Sequence, residues 1–142
     1  MDNSSCALNV PCNISLRNGI GIGTVVKIRG SVPDNSDRFE INLATSNCPD
    51  PDLALHFNPR FDENKVVLNT KENGVWCREE CRNCVPFLRG QGFELMIIPK
   101  QEGFQIVVGD QEYYHFCYRI PLCEVCRLEV RGKVMLESVS IF

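Results

Sequence analysis

The chain has 142 residues, of which 44% are hydrophobic and 23% are charged, and its formal net charge is −3. This length and composition predict one soluble globular domain over residues 1–142 and exclude a disordered or fibrous protein. The small negative charge, without a run of basic residues among aromatic ones, excludes the electrostatic signature of nucleic-acid binding. No segment approaches the roughly 18 apolar residues of a membrane-spanning helix, so membrane insertion is not expected.

The first segment, residues 1–10, has neither the basic start nor the long apolar run of a secretory signal. We therefore expect synthesis in the cytosol. Asn3 and Asn13 each begin an Asn-X-Ser pattern, and we expect neither to be glycosylated in a protein that stays outside the secretory pathway. The glycine-rich residues 18–23 precede a strand and no Gly-Lys-Ser/Thr follows them, so we interpret them as a turn and not as a nucleotide-binding loop.

Nine strands are predicted from runs of β-branched and aromatic residues. They cover residues 24–28, 39–43, 53–57, 66–68, 93–98, 104–108, 113–118, 126–130 and 134–141. Their spacing of about 8 to 14 residues, with Gly, Pro, Asn and Asp between them, favours an antiparallel sandwich over alternating strands and helices. We expect hairpin turns at residues 108–111 and 131–133, and one short helical turn within residues 120–126.

The predicted strand at residues 53–57 continues into an unusual polar row. Three apolar and three polar side chains alternate there, namely Leu53, Leu55 and Phe57 with His56, Asn58 and Arg60. Because successive side chains of a strand point to opposite faces, we expect the apolar set to face the core and the polar set to face outwards. An imidazole, a carboxamide and a guanidinium together offer the donors and acceptors that recognise hydroxyl groups of fixed geometry.

A second set of candidate residues follows along the chain. Val67 and Asn69 share one face of the next strand, and Trp76 follows the turn-like pair Asn73-Gly74. An indole beside charged hydrogen-bonding groups suits a sugar, since a pyranose has an apolar face and a rim of hydroxyls. Taken alone, each of these side chains also has a structural explanation, as core packing, a structural histidine or a surface ion pair.

In its order and spacing this pattern resembles the carbohydrate-recognition signature of the galectins. The matching positions are residues 56–61, Val67, Asn69, Trp76 and Glu79. The resemblance extends through residues 24–30, 38–43, 86–87 and 93–95, and so covers nearly the whole chain. It implies an all-β, antiparallel β-sandwich of the jelly-roll type with two sheets of five to six strands. It also implies a non-enzymatic lectin for β-galactosides of the lactose or N-acetyllactosamine type, without a cofactor or a metal.

The resemblance also implies a role for each site residue. The axial 4-hydroxyl of galactose would be held by His56, Asn58 and Arg60, the 6-hydroxyl by Asn69 and Glu79, and the apolar face of the ring by Trp76. Candidate supporting or extended-site residues are Arg38, Glu63, Val67 and Arg82. Arg38 matches a position that in some galectins reaches ligand groups beyond galactose, and its alternative is a solvated strand residue. We expect Glu63 to position Arg60 through a salt-bridged network.

Two other kinds of site fit the sequence less well. Glu63 and Glu79 do not suit a glycosidase pair, because neighbouring arginines favour ionised carboxylates whereas a general acid needs a raised pKa. The cysteine pairs at residues 81–84 and 123–126 have the spacing of zinc ligands. They are farther apart than in a compact zinc ribbon, and a sandwich of this size needs no metal to complete its core. No metal is therefore expected.

Nine cysteines are many for this length, and they are Cys6, Cys12, Cys48, Cys77, Cys81, Cys84, Cys117, Cys123 and Cys126. An odd number excludes complete internal pairing, so we expect free thiols, several of them buried as small hydrophobes. Two of them depart from the galectin pattern. Cys77 replaces the glycine that is usual after the tryptophan. Cys81 stands where many galectins have an arginine that supports the site and touches the second sugar.

The departure at Cys81 leaves two functions open, because a short thiol cannot replace a guanidinium fork. Arg82, one residue later, would need a bulge or a shifted loop to compensate. The leading hypothesis is galactose recognition with an undetermined preference for the second sugar. The alternative is a galectin-fold structural or protein-interaction protein with weak or lost sugar binding.

The resemblance also adds expectations about partners and location. The expected ligands are β-galactoside glycans on glycoproteins or glycolipids, and many single-domain galectins form two-fold dimers through strands near the chain ends. Residues 134–142 alternate apolar and polar side chains, which fits such a dimer and equally an ordinary edge strand. Galectins typically leave the cell without a signal peptide, so activity outside the cell is expected beside synthesis in the cytosol.

Overall fold

The computed structural model describes residues 2–4, 8–16 and 18–142, and it confirms the predicted all-β antiparallel sandwich. The strands are β1 (Asp2–Ser4), β2 (Cys12–Ser15), β3 (Val26–Ser31), β4 (Phe39–Ala44), β5 (Leu53–Arg60), β6 (Lys65–Glu72), β7 (Val75–Trp76), β8 (Glu80–Arg82), β9 (Gly92–Pro99), β10 (Gly103–Val108), β11 (Gln111–Cys117), β12 (Arg127–Gly132) and β13 (Met135–Ile141). One sheet has six strands in the order β1-β13-β3-β9-β10-β11. The other has seven, in the order β2-β12-β4-β5-β6-β7, with β8 also paired to β6.

The hydrophobic core lies between the two sheets. In β3, Val26 and Ile28 are fully buried, while Lys27 and Arg29, which alternate with them, face outwards. Aromatic rings fill the middle of the sandwich, where the ring centroid of Phe39 lies 5.5 Å from that of Phe87 and 5.8 Å from that of Phe93. Each fully buried phenylalanine contributes roughly 1.5–3 kcal/mol relative to an exposed one. This packing makes β4 and β5 a rigid floor for whatever lies on their outer faces.

All nine predicted strands are present, and the helical turn predicted within residues 120–126 is a 3-10 turn at Leu122–Glu124. Four short strands, β1, β2, β7 and β8, were not predicted, and each has only two to four residues. Strands this short are too brief to be recognised from a period-two pattern, and each lies beside a longer strand that supplies its hydrogen-bonding partners. They raise one sheet to seven strands, above the expected five to six.

The prediction of a hairpin at residues 131–133 is wrong. β12 lies in the seven-stranded sheet and β13 in the six-stranded sheet, so this segment crosses from one sheet to the other. Gly132 permits the crossing because its φ is +93°, in the region that favours glycine. A Cβ at this position would lie 2.7 Å from the Cα of Phe39 and 2.9 Å from the carbonyl oxygen of Arg38. A side chain at position 132 would therefore displace β4.

The interpretation of residues 134–142 as an edge strand is also wrong. β13 pairs with β1 on one side and with β3 on the other. It therefore has a neighbouring strand on both sides, with β1 paired along residues 139–141. A second chain that adds to this sheet would have to pair with an outer strand such as β1.

The alternation of side chains in β5 is interrupted near its start. β4 and β5 pair Leu43 with Leu55 and Ala44 with Leu53, so Ala54 is an extra residue in β5. A bulge of this kind reverses the phase of the side chains before it. Ala54 consequently joins the core, while Leu53 lines a small cavity of about 100 Å³ on the outer face. The prediction that Leu53 faces the core is wrong, whereas the other two apolar residues of the row lie in the core as predicted.

Eight of the nine cysteines lie in the described residues, and none of these eight forms a disulfide. The exposed ones are Cys48, Cys81, Cys84, Cys117 and Cys123, and the half-buried ones are Cys12, Cys77 and Cys126. The prediction that several thiols are buried is therefore wrong for these eight, of which three are half-buried, and Cys6 lies outside the described residues. Burial raises the pKa of the Cys12 thiol. In the same part of the chain, no three or more His, Cys, Asp or Glu side chains are grouped so that they could hold a metal ion.

The described part of the chain contains no helix with the length and apolar character needed to cross a membrane.

Candidate functional site

A groove of about 430 Å³ opens on the outer face of the seven-stranded sheet. It is lined by all six residues for which a direct sugar contact is expected, namely His56, Asn58, Arg60, Asn69, Trp76 and Glu79. Arg38 and Val67 also line the groove, whereas Glu63 and Arg82 do not. The fold thus brings the polar row of β5 next to residues of β6 and β7 and of the segment that follows them.

Strand register explains why these residues meet. β5 pairs with β6 so that His56 is opposite Asn69 and Asn58 is opposite Val67, and on the other side Asn42 of β4 is opposite His56. Directly opposed residues of antiparallel strands have Cβ atoms about 4.5–5.5 Å apart. The result is a continuous polar surface. Although they face outwards, His56, Asn58 and Asn69 are only 2–6% exposed, so each needs hydrogen-bonding partners.

Two carboxylates determine which nitrogen of His56 carries the proton, because they orient the side chain of Asn42 beside it. Nδ2 of Asn42 donates to Oε1 of Glu40 at 3.0 Å and to Oε1 of Glu129 at 3.3 Å, and ionised carboxylates only accept. The Asn42 oxygen therefore faces His56, where it lies 2.8 Å from Nδ1. Nδ1 carries the proton, and Nε2 of the neutral ring remains an acceptor. Burial lowers the pKa of His56 against the opposing effect of Glu40, which favours the neutral ring.

Asn58 and Arg60 hold each other in place. Nδ2 of Asn58 donates to the carbonyl oxygen of Phe39 at 2.8 Å, and its Oδ1 accepts from Nε of Arg60 at 2.9 Å. Nη1 of Arg60 donates to Oε1 of Glu63 at 3.1 Å, and Nζ of Lys65 lies 3.3 Å from the same oxygen. Asn58 has a second amide N–H and Arg60 has further guanidinium N–H groups beyond these contacts. Both side chains are therefore fixed and still able to donate to a ligand.

Arg38 extends this network at one end of the groove. Its guanidinium donates to Asp62 at 3.1–3.2 Å and to Oε2 of Glu63 at 2.7 Å. The hydrogen bond from Arg38 lowers the pKa of Asp62, and the hydrogen bond from Arg60 lowers the pKa of Glu63. Both carboxylates are therefore ionised at neutral pH. A general acid needs the opposite shift, so this cluster supports the arginines and does not donate protons.

Trp76 stands at the edge of the groove and is 47% exposed. Its ring centroid lies 4.6 Å from that of His56, with an angle of 50° between the planes, and Nζ of Lys71 lies 5.2 Å from the indole centroid. The hairpin between β6 and β7 turns at Asn73 and Gly74, whose φ angles are +54° and +76°, as type I′ turns require. An indole that is half exposed beside polar groups can cover the apolar face of a ligand.

A neighbouring loop, residues 45–52, tethers this hairpin. Oδ1 of Asp52 accepts from the backbone N–H of Asn73 at 2.9 Å, and Oδ1 of Asp50 lies 3.1 Å from Nζ of Lys71. β7 itself has only two residues. The position of the indole therefore depends on contacts with a loop that lies outside the groove.

Residues 81 and 82 point to opposite faces of β8. Cys81 is paired with Val67, which lines the groove, whereas Arg82 is paired with the buried Val66. Arg82 accordingly reaches toward the other sheet, where its guanidinium carbon lies 4.6 Å from the ring centroid of Tyr113 and it donates to the Tyr113 carbonyl oxygen. Arg82 therefore does not take the place of an arginine at position 81.

Several residues that support the groove are not apparent from the sequence pattern, and they are Glu40, Asn42, Arg119 and Glu129. Glu40 and Asn42 do alternate with apolar residues in β4, which could have marked them as part of the same outer face. Arg119 and Glu129 had no local signal, because their contacts depend on the order of strands in the sheets. Nη1 of Arg119, for example, lies 3.1 Å from Oδ1 of Asn69.

Comparisons with known proteins agree with this geometry. The family model for galactoside-binding lectins matches residues 11–141. Human galectin-7 is 53% identical over 134 residues, which cover 94% of this chain and 98% of its own length. Rat galectin-4 is 36% identical over 132 residues, covering 92% of this chain and 41% of its own.

Solved structures show the same relationship. A variant of human galectin-16 superposes with a TM-score of 0.89 at 30% identity, over 96% of this chain and 98% of that one. A galectin of Caenorhabditis elegans superposes with a TM-score of 0.88 at 28% identity, over 99% of this chain and 95% of that one. The similarity therefore covers nearly the whole sandwich.

Proposed function

This chain belongs to the galectin family of galactoside-binding lectins, and we propose that residues 1–142 form one carbohydrate-recognition domain for β-galactosides of the lactose or N-acetyllactosamine type. Family membership makes the chain a carbohydrate-binding lectin and not an enzyme. The proposal concerns the sugar that it binds and the residues that bind it. Its ligands are β-galactoside glycans carried by glycoproteins or glycolipids.

The proposal is carried by a buried polar row with spare hydrogen-bonding capacity beside a half-exposed indole. His56 offers an acceptor at Nε2, while Asn58 and Arg60 offer N–H donors. A hydroxyl group both donates and accepts, so an axial 4-hydroxyl can donate to the imidazole and accept from the other two side chains. An equatorial hydroxyl at the same carbon would point in another direction and lose these partners.

Other groove residues hold the rest of the galactose. Asn69 and Glu79 bind the 6-hydroxyl, and Trp76 lies under the apolar face of the ring. Val67 lines the floor, Arg38 reaches groups beyond galactose, and Glu63 supports both arginines. Each hydrogen bond contributes about 0.5–1.5 kcal/mol net, or about 1.5–3 when one partner is charged. A disaccharide of about 23 heavy atoms at roughly 0.3 kcal/mol per atom reaches about 7 kcal/mol, which is a Kd on the order of 10 µM.

Calorimetric titration of the reduced protein with lactose and with cellobiose tests the proposal. The two disaccharides differ only in the configuration of the 4-hydroxyl on the terminal sugar, so lactose should bind saturably and cellobiose should not. Trp76→Ala should abolish lactose binding without unfolding the protein, because this side chain is 47% exposed. Leu88→Ala, which removes an apolar side chain that is 63% exposed and lies outside the groove, is the matched control and should bind as the wild type does.

Two results would contradict galactose recognition, namely no binding at millimolar lactose or equal binding of the two epimers. The alternative function would then apply, that of a galectin-fold protein that has lost sugar binding and contacts other proteins. The cysteines at positions 77 and 81 are the observations that favour this alternative. Under it, the fluorescence of Trp76 would not respond to lactose, while a protein partner could still be captured.

Assembly and location complete the proposal. A two-fold dimer would present two grooves and crosslink glycans with increased avidity, and a dimer that extends the six-stranded sheet would use an outer strand such as β1. Sedimentation under reducing conditions distinguishes such a dimer from disulfide-linked aggregates of the exposed thiols. We further propose that the protein is made in the cytosol and also acts outside the cell. Detection of the protein in medium from intact cells, without a secretory signal having been cleaved, tests that location.

A further inference from the structure

Arg119 lies at the edge of the groove, between the two sheets. Nη1 donates to Oδ1 of Asn69 at 3.1 Å, and Nη2 donates to Oε2 of Glu80 at 2.7 Å. The guanidinium carbon lies 4.9 Å from the ring centroid of Phe116, and the side chain is 23% exposed. Arg119 and Glu79 both line a cavity of about 500 Å³ that adjoins the groove. The guanidinium is thus held by several contacts next to a predicted sugar-binding residue.

The amide of Asn69 has one orientation because of these contacts. Its Oδ1 accepts from the backbone N–H of Thr70 at 2.7 Å as well as from Arg119, and its Nδ2 donates to the carbonyl oxygen of Cys77 at 2.9 Å. A flipped amide would place its NH2 group against two donors. Asn69 is 2% exposed, so it cannot exchange these partners for bulk water. Its second Nδ2 hydrogen is the group that remains for a ligand.

Glu80 and Tyr114 hold Arg119 in turn. The hydroxyl of Tyr114 donates to Oε1 of Glu80 at 2.6 Å, while Oε2 of the same carboxylate accepts from Arg119. Burial and this hydrogen bond raise the pKa of Tyr114 to about 12, so the hydroxyl remains a donor at neutral pH. Glu80 is paired with the core residue Leu68 and faces away from the groove. The chain of contacts therefore begins in the six-stranded sheet and ends at Asn69.

We infer that Arg119 is a positioning residue, which orients Asn69 for the 6-hydroxyl of galactose without touching the sugar itself. Position 81 cannot supply this guanidinium, because Cys81 on the groove side of β8 is a short thiol. The inference rests on the proposed function, since it assigns a role within the same groove. It predicts a defect that depends on one hydroxyl group of the ligand, which a general loss of stability would not produce.

The test compares the binding of two disaccharides to the wild type, Arg119→Met and Arg119→Lys. The disaccharides are lactose and 6′-deoxylactose, which lacks only the 6-hydroxyl on galactose. Arg119→Met should weaken lactose binding about fivefold, the size of one net hydrogen bond, and should leave the affinity for 6′-deoxylactose unchanged. The lactose affinity of Arg119→Lys should lie between those of the wild type and Arg119→Met, because an ammonium lacks the planar fork that reaches both Asn69 and Glu80. Arg89→Met is the matched control, since Arg89 also donates to a carbonyl oxygen and lies over a ring, but remote from Asn69.

A second measurement needs no sugar. In the free protein, the side-chain amide of Asn69 should give one sharp pair of NMR signals in the wild type and in Arg89→Met, and broadened or doubled signals in Arg119→Met. If Arg119→Met weakens binding of both disaccharides equally, or of neither, the positioning role is overturned. Unchanged Asn69 signals in a folded Arg119→Met variant would overturn it as well. Failure of the wild type to bind lactose would instead reject the proposed function, and with it any role in sugar binding.

Discussion

The outer faces of the two sheets differ in how their polar side chains are held. On the seven-stranded sheet, His56, Asn58 and Asn69 are 2–6% exposed, and each has fixed hydrogen-bonding partners. On the six-stranded sheet, Lys27 and Glu94 form an ion pair at 3.2 Å, with side chains that are 30% and 33% exposed. A partly exposed ion pair such as Lys27–Glu94 contributes little to stability. Burying a polar group costs free energy unless it is hydrogen-bonded. Polar groups that face outwards, are buried and hold one another in place therefore indicate a surface built for recognition.

Among the hydrogen-bonding residues of the recognition face, Asn58→Ala should have the largest effect. It removes a donor to the ligand and leaves Nε of Arg60 and the carbonyl oxygen of Phe39 without their partner. We expect lactose affinity to fall more than about tenfold and the free energy of unfolding to fall by about 1–3 kcal/mol. Calorimetry and urea unfolding measure the two effects. Lys27→Ala, on the other sheet, is the matched control, and equal effects of the two substitutions would remove the distinction between the faces.

Asn42→Ala should have a smaller effect on binding, because Asn42 acts through His56. Its loss frees Nδ1 of His56 from the amide oxygen, so both forms of the neutral imidazole should become populated. We expect lactose affinity to fall about threefold, together with about 1–3 kcal/mol of the free energy of unfolding, because Glu40 and Glu129 lose a donor. Nitrogen NMR of the His56 ring checks the mechanism. A ring that stays protonated only at Nδ1 in the variant would contradict it.

The pH dependence of lactose binding should be modest. Burial lowers the pKa of His56, so the neutral ring persists as the pH falls to the ordinary histidine value of about 6.5. Lactose affinity should therefore stay constant from pH 8 to about 6.5 and decline only below that, when protonation turns Nε2 into a donor. Stability should decline in the same window, since the unfolded chain there binds more protons than the folded one. His115→Gln removes the exposed second histidine and should leave the dependence of lactose affinity on pH unchanged. In the wild type, a midpoint of the affinity decline at or above pH 6.5 would contradict the lowered pKa of His56.

Glu94→Gln should have the smallest effect. It removes the ion pairs of Glu94 with Lys27 at 3.2 Å and with Arg29 at 4.0 Å. We expect a loss of at most about 1 kcal/mol in the free energy of unfolding, reduced further at high salt, and no change in lactose affinity. Urea unfolding at two salt concentrations measures it. A larger loss that is insensitive to salt would mean that the outer face of the six-stranded sheet is also a fixed network.

The parts of the molecule that follow from local sequence were predictable. The alternation around His56, Asn58 and Arg60 is a property of one strand, and the pair Asn73-Gly74 identifies the turn that leads to Trp76. Together with the resemblance to the galectin signature, these patterns allowed the residues that line the groove to be selected before their three-dimensional arrangement was known. The nine longer strands were predictable for the same reason, since each carries its own pattern of apolar residues.

The remaining features depend on which strands become neighbours. Nothing local to residues 131–133 indicates that β12 and β13 belong to different sheets, and the extra residue at Ala54 is visible only when β4 is aligned with β5. Arg119 meets Asn69 across 50 residues of chain, and Glu129 meets Asn42 across 87. The residues that line the groove were thus easier to predict than the residues that hold them in position.

The tether between residues 45–52 and the hairpin that carries Trp76 has a consequence for the diversity of related lectins. Asp50 and Asp52 fix the hairpin from outside the groove, so lengthening or shortening this loop would tilt the indole while every residue that lines the groove stayed the same. Relatives with identical contact residues could then prefer different glycans. Exchange of this loop between such proteins would transfer selectivity without any substitution in the groove.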